Sequence, residues 1–128
     1  MTTTGRFDLT SWDEEVYDDA EGARLVRVAG TKTFEGGVSG TSAMQLLQAI
    51  ADPSAAYVGI ERLAVSVDGR SGTFVLRHSA VGSASGGDMT VDVVPDSATG
   101  ALRGLTGRLT IDRSPEGEHT YAFTYELG

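Results

Sequence analysis

The chain contains no cysteine. Disulfides, thiolate nucleophiles and zinc-thiolate sites are therefore excluded, and a reducing compartment suits it. Histidine occurs 2 times and tryptophan 1 time in 128 residues. Two imidazoles without a thiol give little for a transition metal, so no metal and no cofactor is expected. Basic residues are few: 10 Lys and Arg stand against 18 Asp and Glu, for a net charge of −8. Such a surface repels phosphate backbones and anionic lipid, so neither nucleic acid nor a membrane is an expected partner. No apolar run approaches the length of a membrane-spanning helix. The opening stretch MTTTGRFDLTSWDEE lacks the basic start and apolar core of a secretory signal. A cytoplasmic protein with a single domain over residues 1–128 is the expectation.

What the chain does have is glycine, 17 in all, scattered between short runs rich in Thr, Val, Tyr and Phe. That is an all-β pattern. Its centre is Tyr57 to Val81, YVGIERLAVSVDGRSGTFVLRHSAV. Asp68-Gly69 between two alternating runs signals a hairpin with a primed two-residue turn. That turn sets positions summing to about 137 opposite each other. One row then holds Tyr57, Gly59, Glu61, Leu63, Val65 and Val67, facing Gly72, Phe74, Leu76, His78 and Ala80. The other row carries Arg62 and Arg77 and is expected to face water. Glu61 and His78 are thus polar residues on an apolar row, diagonal to each other across the pair.

Further strands are expected over 5–12, 23–35, 88–94, 108–113 and 119–127. The acidic run from Asp13 to Glu21 reads as a solvated loop, without the spacing or central glycine of a calcium loop. In the second strand Lys32 shares parity with Val26, Val28 and Phe34. Two readings stand: Lys32 points inward toward a buried carboxylate, or a bulge at Gly30 turns it to solvent. Residues 38–51 fit a helix by spacing and a strand by alternation, and a partner for the next strand favours the strand. GSASGG at 82–87 reads as a loop. In the last strand Tyr121, Phe123 and Tyr125 share one face and form an aromatic wall. About eight strands in a meander remove their edges most easily by closing into an antiparallel barrel, whose interior can be filled or hold one small ligand.

The motifs SWDE at 11–14, TKTFEG at 31–36, YVGIER at 57–62, DGRSGTFVLRHS at 68–79 and GALRGLTG at 100–107 resemble the bacterial domain-of-unknown-function family numbered 3224. The resemblance covers nearly the whole chain, in order. It implies a closed barrel of the allene-oxide-cyclase-like type. Relatives of that type hold apolar, often reactive, small molecules and steer an isomerisation or cyclisation. The glutamate of YVGIER and the histidine of FVLRHS fall on Glu61 and His78. Where the family pattern would place another acid, the chain reads TSAMQLLQAI, with Met44 and Gln45.

Three functional readings follow. A small apolar or amphipathic ligand sits near Glu61 and His78, with Lys32, Tyr57, Phe74, Leu76, Tyr121, Phe123 and Tyr125 around it. Alternatively Glu61 and His78 are catalytic, Glu61 as general acid or base of an isomerase or cyclase, with a pKa raised by burial unless cationic neighbours counter it. Or the barrel is filled and the polar residues are structural. Glu61 with Glu35 sharing a proton is a further arrangement, if Glu35 turns inward. Val58, Ile60, Val75 and Val81 leave an outward apolar stripe, which makes a homo-oligomer an expectation.

Overall fold

At Asp68 and Gly69 the backbone takes φ of 47° and 88° in a computed structural model that describes residues 1–128. Two successive positive φ values make the primed turn that matches the twist of the flanking strands. The strands it joins pair as the turn dictates: Leu63 opposite Phe74, Glu61 opposite Leu76, Gly59 opposite His78. Every pair in this ladder sums to 137.

Eight strands follow one another around the wall: β1 (Thr2–Ala20), β2 (Ala23–Gly36), β3 (Val38–Ala51), β4 (Ser54–Val67), β5 (Arg70–Ser83), β6 (Gly86–Val93), β7 (Leu105–Arg113) and β8 (His119–Leu127). All neighbours are antiparallel, and β1 pairs with β8 to close the barrel. Residues 38–51 are strand throughout. No helix of the chain is long and apolar enough to cross a membrane.

Two local expectations need correction, and one open alternative is decided. The acidic run is no loop: β1 continues to Ala20. Arginines on β2 stand opposite the acids, Arg27 beside Glu15 at 2.7 Å and Arg24 beside Asp19 at 3.3 Å. Cross-strand charge pairs let this exposed hairpin stay extended. GSASGG is mostly strand as well, because β5 runs to Ser83 and β6 starts at Gly86. The bulge, finally, lies in β1 rather than at Gly30. Leu9 pairs with Lys32 and Ser11 with Thr31, leaving Thr10 as the extra residue. Thr10 and Ser11 both reach the Thr31 hydroxyl, each at 2.7 Å. β2 therefore keeps its alternation and Lys32 stays inside. Gly30 serves space instead: a Cβ there would lie 2.8 Å from the Met44 Cε.

The interior is unequal from end to end. Sixteen buried residues form one cluster, including Phe34, Leu63, Phe74, Leu76, Phe123 and Tyr125. The connection from β6 to β7 folds over that end and places Leu102 in the cluster, fully buried. It approaches so closely that a Cβ on Gly72 would lie 2.1 Å from the Thr99 carbonyl oxygen. A second cluster toward the other end holds only Val26, Val28, Met44 and Leu46, with Tyr57 against it. On the outside, Val58, Ile60 and Val81 are exposed, whereas Val75 is half-buried, its amide donating to the Ser97 hydroxyl.

Candidate functional site: a polar layer beneath an open cavity

Between the two apolar clusters, four adjacent strands each contribute one inward polar side chain. Lys32 comes from β2, Ser42 from β3, Glu61 from β4 and His78 from β5. All four are buried, Glu61 completely, and Lys32 and His78 are 4% and 3% exposed. Alternation places each of them inside; the registers bring them level. Lys32 is paired directly with Ser42, and Met44 with Glu61 one step further on.

Glu61 is the hub. Its Oε1 accepts from His78 Nε2 at 2.7 Å and from Lys32 Nζ at 3.3 Å. Its Oε2 accepts from the Ser42 hydroxyl at 2.5 Å. Burial pushes the Glu61 pKa up, since it penalises the charged form. The His78 hydrogen bond, the Lys32 charge and the Ser42 hydrogen bond together outweigh it, and the net shift is downward from the ordinary 4.5. Glu61 is thus an ionised carboxylate at neutral pH. Its partners decide the sign, against the expectation from burial alone.

An ionised carboxylate can only accept, so His78 Nε2 carries a proton and donates it to Glu61. The other ring nitrogen, Nδ1, makes no hydrogen bond within the protein. No fully buried side-chain nitrogen or oxygen lacks a partner, and the His78 ring borders a cavity. Nδ1 therefore opens onto that cavity. Lys32 Nζ has donors left after its bond to Glu61, and it lies 4.3 Å from the centre of the Phe7 ring.

The cavity has a volume of about 350 Å³ and occupies the less filled end of the barrel. All eight strands border it. Phe7, Met44, Leu46, Met89 and Ile111 supply apolar surface. Lys32, Tyr57 and His78, all expected in the site, are among its walls. Burial pushes the Tyr57 phenol pKa up. Trp12 reaches the cavity because the extra residue at Thr10 reverses the parity of β1. A larger hollow of about 740 Å³ lies on the outer wall, among Arg27, Leu47, Val58, Ile60 and Arg77. It is a trough between outward side chains. The interior cavity is the candidate site because the buried ionisable groups converge there.

Five of the expected lining residues lie elsewhere. Phe74, Leu76, Tyr121, Phe123 and Tyr125 belong to the large cluster at the filled end and do not border the cavity. Two of them are held by their hydroxyls. Tyr121 donates toward the Glu35 and Val38 carbonyls and accepts from the Val38 amide. Tyr125 donates to Asp68 Oδ2 in the central turn. Glu35 is exposed and paired with Arg6 at 3.1 Å, so it shares no proton with Glu61. Ser42 and Arg113 are not singled out by the sequence, and His119 is weighed there only as a metal ligand with His78 and a glutamate. Ser42 had a signal, a hydroxyl in the same row as Met44 and Leu46. Arg113 and His119 had none, since they sit at strand ends and meet the site only through closure. No three His, Asp or Glu side chains converge as a metal site would require.

A family model described as a protein of unknown function, DUF3224, matches residues 3–125. The chain belongs to the DUF3224 family. A crystal structure of a DUF3224 protein with unknown function from Shewanella oneidensis MR-1 has the same fold, with a TM-score of 0.92. It is 33% identical, over 100% of this chain and 98% of that one. No curated protein matches the chain. Family membership and barrel thus agree with the motifs from which both were expected.

Proposed function

We propose that this DUF3224 barrel binds a small amphipathic molecule in the cavity at its open end. The observation that carries the reading is the unpartnered Nδ1 of a buried histidine, aimed into an otherwise largely apolar space of about 350 Å³. That volume is at the lower end of the usual range for small-molecule sites, roughly 300–1,000 Å³. His78 and the spare donors of Lys32 meet the polar end of the ligand. Phe7, Met44, Leu46 and Ile111 meet its body. The resemblance to barrels of the allene-oxide-cyclase-like type supports the same ligand class. Calorimetric titration with amphipathic compounds of about a dozen heavy atoms tests it. A Leu46→Trp variant, which fills the space, should lose binding while melting cooperatively; binding unchanged in that variant would move the ligand elsewhere.

A second reading, proton transfer to or from the bound molecule, is favoured by the Glu61–His78 pair. A carboxylate that orients an imidazole and leaves its far nitrogen toward a cavity is an arrangement suited to general base chemistry. In that reading His78 exchanges the proton, and Glu61, sealed from the cavity, positions it.

A further inference from the structure

The chain carries 18 acidic residues against 10 Lys and Arg, yet none of the 13 residues around the cavity is acidic. The basic ones are Lys32, His78, Arg113 and His119. The carboxylate closest beneath them, Glu61, is already bonded on both oxygens. Arg113 takes part in none of the chain's salt bridges, whereas Arg6, Arg24, Arg27 and Arg77 each have an acidic partner. His119 stacks on Phe7 at 4.9 Å between ring centres, on the ring that also faces Lys32. Burial, Arg113 and Lys32 push its pKa down, against a weaker opposing pull from Asp8. Lys32 and Arg113 thus leave the mouth of the cavity locally positive on a strongly negative protein, with His119 held toward its neutral form. A low-dielectric wall strengthens that field.

We infer that the ligand is an amphipathic acid, with its carboxyl group held between Lys32 and His78 and its apolar body extending past Met89 and Ile111. This deepens the proposed function and rests on it. A carboxyl group suits the pair in hydrogen bonds. One oxygen accepts from Lys32 Nζ. The other meets His78 Nδ1, donating to it as an acid or accepting from it once the imidazole holds the proton. An amide offers Lys32 an acceptor and His78 Nδ1 an N–H donor, but it carries no charge. An ammonium group meets the Lys32 charge. Arg113 draws the anion in from the rim. At about 30 Å³ per water in the liquid, the cavity holds roughly a dozen non-hydrogen atoms. Decanoate is of that size.

Decanoate, decanamide and decylamine, titrated calorimetrically into the full chain, test the assignment. Decanoate should bind about tenfold more tightly than decanamide, and decylamine more weakly than either. Lys32→Gln should bring decanoate and decanamide together. Because that change touches the buried layer, Arg113→Glu at the exposed rim serves as the second variant. It should weaken decanoate severalfold and leave decanamide within about twofold. Equal binding of all three compounds by the parent would overturn the acid assignment and leave cavity binding standing. Binding of none of them would overturn both. Decanoate binding unchanged in both variants would also refute the placement of its carboxyl group.

Discussion

Lys32 and Ser42 stand directly opposite each other across β2 and β3, yet they bond different oxygens of the same carboxylate. Glu61 is consequently gripped from two strands at once, and His78 adds a third. A buried charge with this many partners is costly to disturb from one side, because the groups left behind are themselves buried.

Glu61→Gln should therefore lower stability by about 3–5 kcal/mol, since it leaves the Lys32 ammonium buried without its counter-charge. Ser42→Ala removes one hydrogen bond to a charged acceptor and should cost about 1.5–3 kcal/mol. Urea unfolding of the two variants beside the parent gives both values. A Glu61→Gln loss smaller than that of Ser42→Ala would show that the ion pair is not what stabilises the layer.

The depressed pKa of Glu61 has a defined consequence for acid stability. The group binds its proton less readily folded than unfolded. Its stabilisation is present above the unfolded-state value near 4.5 and is lost as pH falls through the lower folded-state value. The unfolding midpoint of the parent should drop in that acid window, and Glu61→Gln should show a shallower drop over the same range. Parallel curves for the two proteins would contradict the downward shift.

Gly59 is pressed against its neighbours on β3. A Cβ there would lie 2.2 Å from Leu46 Cδ2 and 2.7 Å from the Gln45 carbonyl oxygen, while one at Gly82 meets nothing within 4 Å. Gly59→Ala should destabilise by about 1–3 kcal/mol through overpacking. Gly82→Ala should stay within about 0.5 kcal/mol of the parent. Thermal unfolding of the pair separates a steric effect from a general intolerance of alanine.

Trp12, the one tryptophan of the chain, borders the cavity and is 40% exposed. A ligand entering beside it displaces water from the indole. Its emission should shift to shorter wavelength in a saturable way, with the same affinity that calorimetry gives. An emission spectrum that stays fixed while heat is released would place the ligand away from this rim.

The face of each side chain was legible because a strand alternates with period two and one turn pins the register. Asp68-Gly69 was enough to put Glu61 and His78 on the inner row as diagonal neighbours. Alternation also kept Phe74, Phe123 and Tyr125 inside, correctly. It says nothing about height along the barrel axis, and those aromatics proved to fill the plugged end instead of lining a cavity. The Thr10 bulge was equally hidden. No glycine marks it, and only the pairing of β1 with β2 shows which strand carries the extra residue.

The sequence by itself thus determined the barrel and the inward placing of an acid and an imidazole, since these depend on local periodicity and turn chemistry, while its motifs carried the family resemblance. Only the tertiary structure decided that Lys32 and Ser42 complete the layer, that Leu102 stops one end while the other stays open, and that Glu61 is ionised. Those outcomes depend on distances between strands far apart in the chain. A charge responds to whatever closure brings within a few ångströms of it, not to its own neighbours in sequence.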